Sequence, residues 1–497
     1  MSSEEQQDSI RATISQFIAG SGEPVLCEPG EESVALKLDR FAVECRNGAV
    51  VLQAWDERRN VVRRVMGIES QNRARMVLRV ERFGKRAGSV SVVDLKRSDG
   101  PAVERRTARL EFREIFRRFL LREFTGFKVA ELTAEADLEN SLSPSYPRAL
   151  LRQGATAWAA IGAGESGDTL DKKPRSVDGI LSFGLIWLDY LRRREPALAI
   201  KGLILFLPAG HEKTTCLRLL FLDPAIAQYS VYLYSPDGYT ARADLKDYGN
   251  LDTRLEPCRR RVPSALDEPI ARLASIPGVE TIDRPDGSLS LRVHGLEFAK
   301  TAGDQLLSGL ETKRVTQASN VAEIEKLASG LARLRSIDAP DRLNPLYSRD
   351  REAWLESCVR ASIESVDATL AVRPIYGQVP AFAAAERGVI DLLAVDRAGR
   401  LAILELKASE DIHLPLQALD YWMRVKWHLE RGEFSPLGYF PNLQLSRDIP
   451  RILLVAPALM FHPTTQRILR FFSPRVPVEW FGLGVEWQQN LKVVFRS

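Results

Sequence analysis

Near the C-terminal end of the chain, two short hydrophobic runs predict a β-hairpin. The runs are Val389 to Val395 and Leu401 to Leu406, and the Asp-Arg-Ala-Gly-Arg segment between them has the composition of a short turn. Each run contains one acid, Asp391 or Glu405, and Lys407 follows the second acid by two residues. Side chains alternate along a strand, so Glu405 and Lys407 point to one face, which Asp391 joins if the strands pair. Such a buried charged patch is costly unless it binds something, and a divalent metal with a phosphate would supply the missing charges.

The apolar pattern divides the whole chain into four regions and predicts an α/β fold. Residues 1–105 contain short runs separated by Gly, Asn and Asp turns, which predict a small β-rich N-terminal module. Residues 106–245 alternate helical and strand patterns, and residues 246–345 form a less regular, mixed connecting region. Residues 346–497 are predicted as a helix, three strands, a long helix and a strand, followed by a further helix and two strands.

Two of these regions share a motif. The matching segments are Leu205-Phe-Leu-Pro-Ala with His211 and Thr214-Thr215, and Leu454-Val-Ala-Pro-Ala with His462 and Thr464-Thr465. The helix before each segment contains Leu-Asp-Tyr, at Leu188 and at Leu419. The shared order and spacing favour a duplicated α/β core over coincidence among common residue types. In the upstream copy, Ala160 and Gly162 are expected to replace the acid and the lysine of the hairpin, which would leave that site dead.

Composition and charge add limits to this picture. A chain of 497 residues is too long for one ordinary core, and 45% hydrophobic with 27% charged residues is typical of a soluble globular protein. The net charge of +4 permits a polyanionic partner without requiring one. Five cysteines without a CxxC pair indicate reduced thiols and a cytoplasmic location. The polar N-terminus is not a signal peptide, and no apolar run approaches the ~20 residues that span a bilayer, so no membrane association is expected.

The long helix after the hairpin has two interpretations. The polar residues near one of its faces are His413, Gln417, Tyr421, Arg424 and His428. They would form a nucleic-acid-facing ridge of cations and stacking rings. The alternative is a half-buried helix whose tryptophans belong to the core, and the sequence favours neither.

The arrangement of charged residues resembles the PD-(D/E)XK nuclease superfamily over roughly residues 350–497. Asp391, thirteen intervening residues and then Glu405-Leu-Lys407 stand between a preceding helix and a long following helix. The spacing of Gln417 and Tyr421 on that following helix matches the Gln-x-x-x-Tyr signature of the RecB-type branch. Isoleucine, not proline, precedes the aspartate, which is a frequent departure within the family.

The resemblance implies a C-terminal restriction-endonuclease-like αβββαβ core, a degenerate copy of it upstream and a Mg²⁺ site in which Mn²⁺ can substitute. The implied catalytic residues are Asp391, Glu405, Lys407, Glu356, Gln417 and Tyr421. Asp391, Glu405 and the backbone carbonyl of Leu406 would bind the metal, which prefers oxygen ligands. Lys407 would assist the attack of water on the phosphate, and Glu356 would hold a water or help to bind a second ion.

The expected activity is metal-dependent hydrolysis of DNA phosphodiester bonds by an endonuclease or an exonuclease, with a role in DNA repair or defence. The rival is a catalytically inactive nuclease-fold protein that acts as a nucleic-acid-binding or assembly module. DNA is favoured over RNA as the substrate, and the sequence sets no oligomeric state. A surface hairpin with a solvated ion pair between Glu405 and Lys407 is the simplest alternative, but it does not explain why acids interrupt such apolar runs.

Overall fold

The computed structural model describes residues 3–27, 34–36, 41–46, 49–55, 60–82, 86–94, 99–137, 139–164, 177, 179–235, 237–316, 321–339, 341–342, 344–383 and 386–497. Over these residues the protein is mixed α/β, as predicted, and the chain divides into two compact units, Met1–Ile115 and Phe116–Ser497. None of the described helices combines the length and the apolar character needed to cross a membrane.

The first unit is an antiparallel sheet covered by one helix. Its elements are α1 (Ser3–Ala19), β1 (Pro24–Cys27), β2 (Val34–Ala35), β3 (Phe41–Arg46), β4 (Ala49–Trp55), β5 (Asn60–Gln71), β6 (Arg75–Arg82) and β7 (Arg86–Asp94). The strand order is β2-β1-β7-β6-β5-β4-β3. Ile14 of α1 packs with Leu52 and Leu78 of the sheet in one buried cluster, because alternate strand positions are apolar on that side. Helix α2 (Asp99–Glu123) then crosses the boundary between the units.

The second unit contains two larger sheets, each crossed by helices. The upstream sheet and its helices comprise β8 (Lys128–Thr133), β9 (Arg148–Gln153), β10 (Thr156–Gly162), α3 (Ile180–Arg194), β11 (Ala199–Pro208), α4 (Lys213–Leu219), β12 (Gln228–Tyr234) and β13 (Thr240–Arg242). A 3₁₀ turn, Leu245–Tyr248, and strand β14 (Thr253–Leu255) follow. Strand β14 pairs not with this sheet but with the first strand of the C-terminal sheet.

A smaller antiparallel sheet lies between the two in sequence. Its elements are α5 (Asp267–Ala274), β15 (Val279–Asp283), β16 (Leu289–Val293), β17 (Leu296–Ala302), β18 (Gln305–Ser308), β19 (Arg314–Thr316) and α6 (Val321–Leu334). The strands pair in chain order, and residues from α5 and α6 complete one buried cluster with them. This middle module (residues 267–334) gives regular structure to the region that the sequence analysis read only as a mixed connector.

The C-terminal sheet follows two short helices and one longer one. Its elements are α7 (Pro345–Ser348), α8 (Arg351–Ala361), α9 (Ile363–Val366), β20 (Tyr376–Ala383), β21 (Glu386–Val395), β22 (Leu401–Leu406), α10 (Leu414–Glu430), β23 (Arg451–Pro457), a 3₁₀ turn (Ala458–Met460), α11 (Thr465–Leu469), β24 (Val478–Leu483) and β25 (Val493–Arg496). The strand order is β14-β20-β21-β22-β23-β24-β25, so β22 is central and every residue in it is buried.

The predicted hairpin between β21 and β22 is confirmed. Leu392 pairs with Leu404 and Val395 with Leu401 in an antiparallel register. At the turn, the Asp396 carboxylate accepts hydrogen bonds from two backbone amides. Gly399 has φ of +86°, and a Cβ there would lie 2.3 Å from a neighbouring carbonyl, so only glycine fits.

The upstream and C-terminal sheets have the same topology. Taken in order from β8 or from β20, the first two pairings are antiparallel, the next two are parallel and the last is antiparallel. In each sheet a long helix, α3 or α10, connects the third strand to the fourth. The chain therefore contains two six-strand units with one connectivity, in the regions where the sequence motif repeats.

The strand register corrects one expectation about the upstream copy. Ile161 pairs with Leu205, whereas Glu405 pairs with Leu454. Because Leu205 and Leu454 hold the same place in the repeated motif, Ile161 corresponds to the glutamate, and the assignment of Ala160 was wrong by one residue. The register of β10 against β11 shifts between Ala157 and Ala159, where β11 has one extra residue, and the hydrophobic pattern carries no signal for that shift.

The two six-strand units pack against each other through equivalent positions. Leu222 and Phe472 form an antiparallel bridge. Each lies seven residues after the second threonine of its motif. Two reciprocal backbone hydrogen bonds of 2.8 Å flank the bridge, from Asp223 N to Phe471 O and from Ser473 N to Phe221 O. Apolar residues of both units, including Leu185 and Leu419, belong to one continuous buried cluster.

A bidentate ion pair joins the units beside this bridge. The Arg218 guanidinium of α4 donates to both carboxylate oxygens of Asp420 on α10, at 2.7 and 2.9 Å. The two side chains are only 7% and 17% exposed, so removal of either partner leaves a poorly solvated charge. Asp189 holds the corresponding place on α3, but its partners Arg193 and Arg467 are more exposed.

We expect Asp420→Ala to lower the free energy of unfolding by about 2–4 kcal/mol, because the largely buried Arg218 guanidinium loses its ion pair with this carboxylate. Asp189→Ala, the matched control on the other helix, should cost less than about 1 kcal/mol. Urea denaturation followed by tryptophan fluorescence measures both variants. Equal decreases in the free energy of unfolding for the two variants would show that the Arg218–Asp420 pair stabilises the protein no more than the exposed pairs of Asp189 do.

Candidate active site

The hairpin brings the two predicted acids together. The pairing of Leu392 with Leu404, extended by one residue, sets Asp391 opposite Glu405 on the same face of the sheet. The backbone N–H of Leu406 donates to Asp391 Oδ2 at 2.9 Å, which fixes the aspartate against the end of β22. Both acids therefore lie where β22 leaves the centre of the sheet.

Lys407 follows directly and is held among carboxylates. Its backbone N–H donates to Val455 O at 3.1 Å, which keeps the residue aligned with β23. Its ammonium Nζ lies 3.7 Å from Glu405 Oε1, 3.8 Å from Glu352 Oε2 and 4.0 Å from Asp411 Oδ2. The ammonium is thus beside the acid pair, as the alternation along the strand predicts, and its side chain is 15% exposed.

Burial makes this group of charges unusual. It raises the pKa of Asp391 to about 6, an effect that the hydrogen bond from Leu406 and the charge of Lys407 only partly offset. Burial also raises the pKa of Glu405 well above its ordinary value, and the nearby Asp391 charge raises it further. For Lys407, burial lowers the pKa, but the surrounding carboxylates outweigh burial and the pKa rises. Both carboxyl groups therefore keep their protons to a higher pH than free carboxyl groups do.

Two buried oxygen atoms in this region accept no hydrogen bond. They are Glu405 Oε2 and Gln417 Oε1. A buried acceptor without a donor is unfavourable by about 1–3 kcal/mol, so both atoms are suited to a water molecule or a cation. Glu405 itself is 2% exposed. Its other carboxylate oxygen, Oε1, lies 3.7 Å from the Lys407 ammonium.

The helix α10 supplies the remaining predicted residues. Gln417 and Tyr421 lie one turn apart on this helix, and both are partly buried. Burial raises the pKa of Tyr421, and the charges of Glu405 and Asp391 raise it further, so its hydroxyl stays protonated near both acids. Tyr421 of the Gln-x-x-x-Tyr pattern is therefore close enough to both acids to be affected by their charges.

Glu356 forms ion pairs with two arginines, which the sequence did not indicate. It is buried on α8, and its Oε1 accepts from Arg360 at 2.8 Å and lies 3.4 Å from Arg292 of the middle module. Its charge is near enough to raise the pKa of Asp391. An oxygen that already neutralises two arginines is a poor candidate for a metal ligand, and Glu356 is better placed to fix α8 beside the acids.

The middle module holds α8 by close contacts. A Cβ on Gly295, whose φ is +78°, would lie 1.9 Å from the Ala353 carbonyl, so the turn and the helix touch backbone to backbone. The Arg335 guanidinium stacks over the Trp354 ring at 4.7 Å, and His294 stacks on that same ring. These contacts fix the helix that carries Glu352 and Glu356.

Glu352 and Asp411 were missed in the sequence analysis. Glu352 precedes Glu356 by one helical turn, and Asp411 follows Lys407 by four residues. Helical spacing in the first case is the signal that would have indicated a second acid on the same face. Asp411 lies in a loop, where spacing gives no such indication.

The contacts of α10 favour the half-buried interpretation of that helix. His413 Nδ1 lies 2.9 Å from the Ser182 hydroxyl of α3, and His428 contacts Glu433 and Thr253. The indole N–H of Trp422 donates to a backbone carbonyl in the core. The two histidines at the ends of the proposed ridge are therefore used in internal packing.

The protein supplies only some of the ligands that a divalent cation would need at this site. Within the described ranges, no group of three or more His, Cys, Asp or Glu side chains is arranged to hold a metal ion. Asp391 and Glu405, with the nearby Leu406 carbonyl, are nevertheless an adequate set for Mg²⁺, which keeps several waters and takes one or two carboxylates. Glu405 Oε2, which accepts no hydrogen bond, is an oxygen that such a cation could take as a ligand.

Comparison with known proteins adds no family to this description. A scan against protein-family models gives no match for the chain, and a search of the curated proteins gives none either. The interpretation of the site therefore depends on the geometry and the electrostatics of its own residues.

We expect Asp391→Asn to raise the free energy of unfolding at pH 7 by roughly 2 kcal/mol, because the native state no longer buries that charge. The folded pKa of about 6 exceeds the ordinary value of 3.8, so the native state binds more protons than the unfolded state between those values. The penalty is therefore complete above pH 6 and disappears as the pH falls towards 4. Urea denaturation at pH 7 and pH 4 measures the effect.

Glu410→Gln is the control for this measurement, since Glu410 is exposed in the loop after Lys407. It should change stability by less than about 0.5 kcal/mol at either pH. If Asp391→Asn instead lowers stability at pH 7, the aspartate is not a desolvated charge.

Proposed function

We propose that the protein is a metal-dependent nuclease that hydrolyses DNA phosphodiester bonds at the Asp391–Glu405–Lys407 site. The observation that carries the proposal is the buried Glu405, which has one unpartnered oxygen, with the partly buried Asp391 and an ammonium beside it. Two desolvated carboxylates are unfavourable in a folded protein unless a cation compensates them. An ion-binding function accounts for that arrangement, whereas a structural ion pair would satisfy both glutamate oxygens.

Residues 346–497 form, on this proposal, a PD-(D/E)XK core. Support comes from the order of α8, β20, β21, β22, α10 and β23, in which three antiparallel strands are followed by a helix and a parallel strand. Glu405 lies near the end of β22, Asp391 accepts from the Leu406 amide, and Tyr421 of α10 lies near both acids. The same connectivity in residues 128–242 supports the interpretation of that region as a degenerate copy.

The residues of the site have distinct parts in the proposed chemistry. Bound Mg²⁺ or Mn²⁺ supplies acidity to water and positive charge to the phosphate. Asp391 and Glu405 provide the oxygen ligands and must lose their protons to do so. The Lys407 ammonium, already 3.7 Å from Glu405, offers charge to the phosphate oxygens as negative charge develops on them. The protonated Tyr421 hydroxyl and the Gln417 amide are positioned to orient water or the scissile strand.

The second candidate is a nuclease-fold protein without turnover that binds or assembles on nucleic acid. It is favoured by the lack of a third metal-ligating side chain among the residues that the structure describes. It is also consistent with Lys407, whose ammonium is surrounded by three carboxylates. Metal binding without strand cleavage would identify this candidate.

Strand cleavage tests the nuclease directly. With Mg²⁺ or Mn²⁺, the protein should cleave DNA, and Lys407→Ala should reduce the rate by at least about 100-fold while DNA binding is nearly unchanged. Lys201→Ala is the matched control, since this exposed lysine is the third residue of β11 in the other six-strand unit. Labelled DNA and RNA in one reaction identify the substrate class. Unchanged cleavage by purified Lys407→Ala would remove the mechanism.

Calorimetry with Mg²⁺ tests the metal site separately. Because the pKa of Asp391 is about 6, metal binding at pH 6 should release protons, and the apparent heat should depend on the ionisation enthalpy of the buffer. Affinity should fall steeply below pH 6, and Asp391→Asn should weaken binding by at least about 10-fold. Binding that releases no proton and tolerates the substitution would place the cation elsewhere.

A further inference from the structure

The two six-strand units are related as the subunits of a symmetric dimer. Leu222 bridges Phe472, its own equivalent, and the two flanking backbone hydrogen bonds are reciprocal. A contact in which each position meets its own counterpart is characteristic of a two-fold interface between identical subunits. Here the two partners belong to one chain.

The long helices follow the same symmetry. Ser182 on α3 and His413 at the start of α10 each lie six residues before the leucine of their Leu-Asp-Tyr motif. The Ser182 hydroxyl and His413 Nδ1 are 2.9 Å apart, so this hydrogen bond also joins equivalent positions. Two independent contacts between counterparts, the Leu222–Phe472 bridge and the Ser182–His413 hydrogen bond, define an internal two-fold relation between the six-strand units.

The upstream counterpart of the site has neither the two strand acids nor the lysine of the C-terminal site. Ile161 corresponds to Glu405, and Arg148, which pairs with Ile161, takes the place of Asp391. Ala163 donates its N–H to the neighbouring parallel strand as Lys407 does, so alanine replaces the lysine.

The replacement side chain is occupied as well. Arg148 is 4% exposed, and its guanidinium donates to the backbone carbonyls of Glu135 and Ser143. A cation stands where an acid would bind a metal, and neither Ile161 nor Ala163 offers a ligand. This position holds no divalent ion and offers no charge to a phosphate.

We propose that the chain is an internal pseudo-dimer that presents a single hydrolytic site to duplex DNA and cuts one strand per binding event. This inference depends on the proposed nuclease function. A two-fold protein matches the dyad of a duplex, so two working sites would address the two antiparallel strands in the same way. With one site lost and its unit retained as a packing partner, the second strand meets no catalytic group.

A supercoiled plasmid separates one-strand from two-strand cleavage. With protein limiting and Mg²⁺ or Mn²⁺ present, open-circular DNA should accumulate at a rate first order in protein. Linear DNA should appear only late, from independent second nicks. Duplex oligonucleotides labelled on either strand should likewise lose one strand per complex, and the active species should have the 55.7 kDa mass of one chain by light scattering.

Each other outcome overturns a defined part of the proposal. Linear DNA formed in parallel with the first cuts, or an active species of twice the monomer mass, would overturn the single-site pseudo-dimer while the nuclease function stands. Cleavage of single-stranded DNA alone would do the same. No cleavage of any DNA form with either metal, by protein that binds DNA, would overturn the nuclease function and this inference together.

Discussion

The burial of Glu405 beside the partly buried Asp391 on adjacent strands is the constraint on which the rest of the site depends. Strand β22 is apolar and fully enclosed, so a carboxylate at its end loses most of its hydration. One lysine ammonium at 3.7 Å compensates part of that loss, and the Leu406 amide fixes the aspartate. What remains is a concentrated negative potential with an unsatisfied oxygen, which is the electrostatic condition for capture of a hard cation.

The surrounding structure maintains this unfavourable arrangement through rigid contacts. The middle module fixes α8 by backbone contact at Gly295 and by the Arg292–Glu356 ion pair. The other six-strand unit fixes α10 through the His413 hydrogen bond and the Arg218–Asp420 pair. The two helices beside the acids are thus each held by another part of the chain. Strain concentrated at a functional site is commonly offset in this way by stability elsewhere.

The internal symmetry gives the upstream unit a structural role that its own sequence does not suggest. A degenerate copy that only filled space would have no need for contacts between equivalent positions. The reciprocal hydrogen bonds around Leu222 and Phe472 instead preserve the geometry of a dimer interface within one polypeptide. Joining both partners in one chain removes the concentration dependence of assembly and allows one site to diverge while the other is retained.

The sequence alone determined the hairpin, its turn and the shared face of Glu405 and Lys407, because strand alternation and turn chemistry are local properties. It also indicated Gln417 and Tyr421, whose spacing of one helical turn is equally local. Tertiary structure alone decided that Glu356 is held by Arg292, that Glu352 and Asp411 surround the lysine, and that Ile161 is the counterpart of Glu405. These relations join residues far apart in the chain or depend on a bulge, and they follow from packing and strand register, which no local pattern records.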